Sequence, residues 1–428
     1  MNLRPYQQDI LTQAKKVIEQ YGFVYLALEM RLGKTAISLS LAKELGCTSV
    51  LFVTKKKAMA SIQCDAASLK LGYELQVTNY ESLHKVQGNF DCIIVDEAHS
   101  IWQYPRPNNR CKSLRQLIKA QRITPFVIYL SGTPTPETFS QIYFQLSILG
   151  AKSPYAHYKN FYRWADDHVE VKERYVNGMR IKDYSVAKVD TINDLLQKFR
   201  IVHTQEQAGF KSMIEEEVVT VPMPWALEKL QEILRKELYY KLRDGREIVA
   251  DTPVKLMQKL HQISSGTVIT EDGLSTVLSP YKAEFIKQHY KGKRIAIYYK
   301  FIAEGNMLRE YFPNYTESPE EFNGSTDRIF ISQIQSGSMG INLSSADILV
   351  FFNIDFSATQ YYQARARLGS MEREHPQVIH WLFSDTGIES KVYKAVQQKK
   401  SYTLAHYRKD YSIARIRNTK QVHGVSAC

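Results

Sequence analysis

Three short segments bring together residue types that can work on a phosphate anhydride. Gly33, Lys34 and Thr35 follow an apolar run of strand length and open a stretch of helical spacing, so backbone N–H groups and the positive end of a helix would face an anion held in the loop. Lys34 would neutralise β- and γ-phosphates, and the Thr35 hydroxyl would ligate Mg²⁺. Asp96, Glu97, Ala98 and His99 follow the apolar run Cys92 to Val95, which sets two carboxylates at the carboxyl end of a buried strand. There Asp96 would hold Mg²⁺ and Glu97 would orient and polarise the attacking water. Ser131, Gly132, Thr133 and Pro134 cap a further apolar run, Phe126 to Leu130. One such signature alone is weak, but all three coincide by chance about once in a million chains of average composition, so coincidence drops out.

The elements that must position these residues read as a parallel α/β sheet, with apolar runs alternating with turn signals and helical patterns. Val24 to Leu28, Ser49 to Val53, Cys92 to Val95 and Phe126 to Leu130 are the strands expected in a first lobe. Lys34 to Leu45 carries Ile37, Leu41 and Leu45 at helical spacing and stops at Gly46. The theme returns in Arg294 to Tyr299, Arg328 to Gln333, Ile348 to Phe352 and Val378 to Leu382. Between them the alternation breaks, with polar helices such as Trp225 to Leu242 and a hairpin signal at Asn177 and Gly178.

At 428 residues the chain suits two α/β cores better than one. The expected division is 1–215 for a first ATP-binding lobe with an insertion at about 150–200, 216–285 for a helical linker, 286–400 for a second lobe and 401–428 for a basic tail. The net charge of +12, from 56 basic and 44 acidic side chains, suits a polyanionic partner. No run approaches the ~18 apolar residues of a membrane span, and Met1 to Ile10 lacks a secretory or transit pattern, so the expected location is the cytoplasm, without membrane association. Cys47, Cys64, Cys92, Cys111 and Cys428 are scattered without metal or redox spacing and read as reduced thiols.

On these motifs the chain resembles the superfamily 2 helicases, and within them the Snf2-like branch that includes small phage and bacterial DNA translocases. Leu3 to Gln7, with Arg4 and Gln7, is similar to the opening segment that reads adenine; Glu29 to Thr35, with Met30, Leu32 and Gly33, is similar to motif I. Val50 to Lys57 resembles motif Ia, Thr78, Tyr80 and Glu81 motif Ib, Asp96 to His99 motif II, and Ser131 to Pro134 motif III. Phe199 to Pro222 is similar to the exit from the first lobe and Ile295 to Phe301 to motif IV. Ser336, Gly337, Gly340, Ile341, Asn342 and Leu343 resemble motif V, and Gln363, Ala364, Arg365 and Arg367 resemble motif VI, the source of arginine fingers.

The resemblance implies two RecA-like parallel-sheet lobes in tandem with a helical insertion between them, and an ATP- and Mg²⁺-dependent motor acting on DNA rather than RNA. It implies ATP contacts at Arg4, Gln7, Met30, Leu32, Gly33, Lys34, Thr35, Gly340 and Gln363, and catalysis by Lys34, Asp96 and Glu97 with Arg365 and Arg367. Matching through Gln363 and Ala364 favours Arg367 as the finger, whereas matching through Arg367, Leu368 and Gly369 favours Arg365, and both registers stay open. Two departures stand out: Arg31 occupies a position where Snf2 motors usually have glycine, and Trp102 and Gln103 replace the common lysine and asparagine after motif II.

Nucleic acid would meet Lys55, Lys56 and Lys57, Tyr80, Arg110 and Lys112 in the first lobe, and Ser336 and Gly337 in the second. A lysine triplet is usually solvated surface, and its motif Ia position is what favours phosphate contact here. The aromatic set Tyr155, Tyr158, Phe161, Tyr162 and Trp164 has helical spacing that fits core better than base stacking. The expected work is remodelling of forked or branched DNA by a monomer in a bacterial or phage-infected cell. The competing readings are a duplex translocase that does not separate strands, including a restriction-system motor, and a nucleic-acid-binding scaffold with an inactive ATPase.

Overall fold

A computed structural model of the chain describes residues 3–101, 103–135, 138–176, 179–209, 214–334, 343, 345–357 and 377–397. It comprises two compact units that divide between Met213 and Ile214. Each is built on a six-stranded parallel sheet.

In the first unit the strands are β1 (Phe23–Leu28), β2 (Ser49–Thr54), β3 (Glu74–Asn79), β4 (Cys92–Asp96), β5 (Phe126–Leu130) and, after an intervening hairpin of β6 (Lys172–Val176) and β7 (Met179–Asp183), β8 (Arg200–His203). Their spatial order is β3-β2-β4-β5-β1-β8. Every residue of β1 is buried, as a strand covered on both faces demands, and its side chains divide between the two cores. Tyr25 and Ala27 enter one core with Ile93, Val95 and Tyr129, while Val24, Leu26 and Leu28 enter the other with Ile94, Ile128 and Leu130. Helix α1 (Pro5–Tyr21) starts on Pro5, which is suited to a first helical turn, and buries Ile10, Ala14 and Ile18 at four-residue intervals. Helices α2 (Lys34–Glu44), α3 (Met59–Leu69), α4 (Asn109–Ala120), α5 (Ile142–Ser147), α6 (Phe161–His168) and α7 (Val189–Leu196) follow. Most of the aromatic set belongs to this core: Tyr155, Phe161 and Trp164 are buried and ring-packed with Tyr143, and Tyr158 packs against the cluster, whereas Tyr162 is exposed.

The second unit holds β9 (Ile214–Val221), the hairpins β10 (Tyr239–Lys241) with β11 (Glu247–Val249) and β12 (Thr267–Ile269) with β13 (Ser275–Val277), then β14 (Ile295–Tyr299), β15 (Tyr315–Thr316), β16 (Ile329–Gln333), β17 (Ile348–Phe351) and β18 (Gln377–Ser384). The sheet order is β15-β16-β14-β17-β18-β9. Around it pack α8 (Trp225–Glu237), α9 (Pro253–Ile263), α10 (Tyr281–His289), α11 (Ile302–Tyr311), α12 (Pro319–Gly324) and α13 (Glu389–Gln397).

The span 216–285 therefore differs from the helical linker expected of it. Strand β9 pairs with β18 along its whole length and closes the second sheet, and two hairpins accompany helices α8 and α9. The sequence Glu215, Glu216 and Glu217 hid the strand, because an edge strand exposes charge that a central one cannot. Among the described residues no helix is long and apolar enough to cross a membrane.

Candidate active site

Three neighbouring strands, β4, β5 and β1, deliver the three chemical segments to one edge of the first sheet. The loop after β1 is held in shape by backbone geometry and by clasps from both sides. Gly33 has φ 79°, and a Cβ there would lie 2.2 Å from the Gln7 amide nitrogen, so only glycine fits. Gln7 is buried and fully engaged. Its Nε2 donates to the Leu32 carbonyl at 3.0 Å and its Oε1 accepts from the Arg4 N–H at 2.9 Å. Gln205, beyond β8, donates from its side chain to the Met30 carbonyl at 2.9 Å and from its backbone N–H to the Glu29 carboxylate at 2.7 Å. Tyr6 stacks on His203 at 5.8 Å and 5°, tying the start of α1 to the end of β8. Arg31 sits at φ 65°, where glycine is comfortable and other L-residues pay about 1 kcal/mol or more, which gives a physical reason for glycine to be usual there.

Lys34 opens α2, and its ammonium donates to the Leu28 carbonyl at 2.9 Å and the Glu29 carbonyl at 3.1 Å. A Cβ on Gly132, in the segment after β5, would stand 3.9 Å from the same Nζ. The lysine of the first segment thus borders the glycine of the third.

Asp96 ends β4 with its side chain accepting from the Thr54 hydroxyl at 2.8 Å, and its carbonyl accepts from the Tyr80 hydroxyl. Burial, and then the Glu97 carboxylate beside it, push the Asp96 pKa up to about 6. A carboxylate held this far above its ordinary range in a polar corner is poised to exchange a proton for a cation. Glu97 has φ 51°, an uncommon backbone state for its type that tends to be found at working sites. Its carboxylate lies 3.3 Å from His99 Nδ1, and the same nitrogen is 2.9 Å from Ser131 Oγ, which accepts from the Thr133 N–H at 3.0 Å. Burial lowers the His99 pKa, so a neutral imidazole joins the second segment to the third.

The expected nucleic-acid residues fall out differently. Lys56 is exposed in a short turn after β2 and Lys55 half-buried; of Lys57 only the backbone belongs to the described part. Lys112 is exposed on α4. Tyr80 is a correction: it is 2% exposed and supports motif II from beneath, so it cannot meet a strand outside the fold. Arg110 lies over the Tyr80 ring at 5.0 Å with Nε 3.1 Å from Glu81, a pairing the sequence did not reveal. Ser336, Gly337, Gly340, Gln363, Arg365 and Arg367, together with Trp102 and the basic tail 401–428, lie outside the described residues.

The ends of β14 and β17 in the second unit are nonetheless defined. Lys300 pairs with Asp355 at 3.1 Å; Asn353 donates to Glu304 at 2.7 Å and lies 2.6 Å from His261 Nε2; Glu304 accepts the N–H groups of Lys300 and Phe301. Sequence reasoning missed this polar network, although polar residues straight after the apolar run 348–352 were the signal that had exposed Asp96. Among the described residues no three His, Cys, Asp or Glu side chains gather around a metal position.

Residues 313–372 match the helicase conserved C-terminal domain. Chromodomain-helicase-DNA-binding protein 1-like from Danio rerio is 22% identical over 93% of this chain and 43% of its own length. The SWI/SNF-related matrix-associated actin-dependent regulator of chromatin subfamily A-like protein 1 from Drosophila melanogaster is 21% identical over 93% of the chain and 55% of its own. The chain is thus similar, over most of its length, to Snf2-like helicases. It spans about half the length of these curated relatives or less. A Sulfolobus solfataricus SWI2/SNF2 ATPase core in complex with dsDNA aligns over 93% of the chain and 91% of its own length, with 17% identity and a TM-score of 0.41.

Proposed function

We propose that this Snf2-like chain is a DNA-dependent ATPase that turns ATP hydrolysis into movement along DNA. The observation that carries the reading is the juxtaposition of Lys34, the Asp96–Glu97 pair and Ser131–Gly132 on three adjacent strand ends. Lys34 has a ready exchange to make, leaving two carbonyl oxygens for the more strongly charged β- and γ-phosphates. Thr35 and Asp96 would hold Mg²⁺, whose charge would favour the ionised form of Asp96 that burial disfavours. The cation they would hold would supply positive charge to offset what develops on the phosphate oxygens. Glu97, held near a neutral His99, is placed to orient a water, and Ser131 through His99 would report the state of that carboxylate to the segment after β5. Arg365 and Arg367 are the candidates for the arginine finger, and either one acting so is typically worth ~10³ to 10⁵ in rate.

Lys55, Lys56, Lys57 and Lys112 supply backbone-phosphate contacts, which give affinity without sequence reading. Ser336 and Gly337 would contact the strand from the second unit. Remodelling of forked or branched DNA, by branch migration or fork reversal in a bacterial or phage-infected cytoplasm, is the preferred job, carried out by a monomer. The test is ATPase rate across single-stranded, duplex, forked and four-way DNA with an RNA control, run beside strand displacement on a fork and triplex displacement on a duplex. Highest turnover and strand displacement on branched DNA support the reading. Triplex displacement without strand displacement would make it a duplex translocase, and equal rates with and without any nucleic acid would remove the motor.

A further inference from the structure

A cavity of about 480 Å³ lies in the second unit, off the amino-terminal ends of its strands. Arg294 and Ile295 at the start of β14, Arg328 and Ile329 at the start of β16, and Asp347 just before β17 line it, with Tyr290 and Phe312 as apolar wall. Ligands of open α/β sheets ordinarily sit off the carboxyl ends of the strands, where β14 and β17 carry the Lys300–Asp355 and Asn353–Glu304 contacts. This cavity is therefore separate from the motor chemistry proposed above.

The charge around it is lopsided. Lys287 on α10 and Lys291 and Lys293 in the turn after it bring exposed ammonium groups with no carboxylate partner among the described residues. Arg294 adds a guanidinium that lies over the Phe322 ring at 4.9 Å and whose terminal nitrogen donates to the Phe322 and Asn323 carbonyls. The carboxylates of the wall offset only part of this. Arg328 is matched by Glu321 at 3.0 Å, which leaves Asp327 and Asp347, the latter accepting the Arg294 backbone N–H at 3.0 Å, against four cations. An excess of cations around an open cavity favours an anion inside it, although Lys287 also lies over the Tyr311 ring at 6.0 Å.

We infer that this cavity is a second phosphate-ester site, for either a free nucleoside phosphate or the backbone phosphates of nucleic acid passing this face. Ammonium and guanidinium groups bind phosphate oxygens through charge-assisted hydrogen bonds, and the Tyr290 and Phe312 walls give the apolar backing that a sugar or base requires.

The test uses the full chain with Lys287, Lys291 and Lys293 changed together to Gln, and as a second variant the same three changed to Arg. A control changes Lys236, Lys241 and Arg243 to Gln, an equal loss of charge at positions that do not line the cavity. In the first arm, calorimetric binding of inorganic pyrophosphate is measured in a Lys34→Ala background, which removes the contribution of the loop after β1. In the second, duplex DNA binding is followed by anisotropy across salt concentrations. If free phosphate esters are the ligand, the Gln variant binds pyrophosphate about tenfold more weakly and the Arg variant retains affinity. If backbone phosphates are the ligand, the Gln variant lowers the salt slope of DNA binding by about 2 to 3. Unchanged behaviour in both arms, or equal losses in the control, overturns the inference.

Discussion

Replacing Asp96 with Asn should make the isolated protein more stable at neutral pH while abolishing its function. The Asp96 carboxyl is raised from 3.8 to about 6, chiefly by burial and next by Glu97. Between those values the folded chain binds a proton that the unfolded chain has lost, so this group favours folding at low pH and opposes it as pH rises through 6. The gap corresponds to about 3 kcal/mol at pH 7 and above, at 1.36 kcal/mol for each tenfold change in proton affinity. Asn is uncharged, keeps the shape, and can still accept the hydrogen bond from Thr54. The gain should appear as a rise of roughly 6 to 12 °C in the unfolding midpoint of the first unit at pH 7.5 in EDTA, from ~2 to 4 °C per kcal/mol for a domain of this size. It should shrink towards zero as pH falls from 6 to 4. His99 titrates in the opposite sense, since burial lowers its pKa and its contribution is lost as pH falls through the unfolded value, but it is common to both proteins and cancels in the difference. Calorimetric scans of the two proteins from pH 4.5 to 8 check the prediction. An Asp96→Asn protein less stable than its parent at pH 7.5, or a difference that does not vary with pH, would refute the reasoning.

Other outcomes follow from single contacts. Gln205→Ala, which removes the hydrogen bond to the Met30 carbonyl, should raise KM for ATP by roughly 5- to 10-fold with kcat less affected, from ~1 kcal/mol per hydrogen bond, as steady-state kinetics would reveal. Tyr80→Phe should cost about 1 to 2 kcal/mol in urea unfolding and leave the salt slope of DNA binding unchanged, whereas Lys56→Ala should lower that slope by about 1 and leave stability alone. Lys282 and Glu389 form an ion pair at 2.8 Å with both side chains fully buried, so Lys282→Met alone should cost about 3 to 5 kcal/mol, and adding Glu389→Leu should recover most of it in a double-mutant cycle.

The central strands were legible because burial on both faces turns them into unbroken apolar runs. Phe126–Leu130 appears as expected, and Phe23–Leu28, Cys92–Asp96 and Ile348–Phe351 differ from expectation by a residue at one end. Edge strands obey a weaker rule. Glu74–Asn79 and Ile214–Val221 expose one side and carry polar residues there, so neither stood out from loop. At the site, residue types and spacing named Lys34, Asp96 and Glu97, since that chemistry is local to a strand end. Contacts between distant segments were invisible. Gln205 clasps Glu29 from 176 positions away, and no periodicity marks a glutamine as the partner of a phosphate loop. Side-chain direction was lost as well: Tyr80 was singled out by its resemblance to motif Ib, yet it is buried and its hydroxyl donates to the Asp96 carbonyl.

Steady-state ATP hydrolysis with and without duplex DNA, compared between the parent and the Lys34→Ala and Glu97→Gln variants, tests the central claim most directly. The account predicts turnover that rises with DNA in the parent and is lost in both variants, which still bind DNA with the parent's affinity. Parent-like turnover in either variant would contradict it.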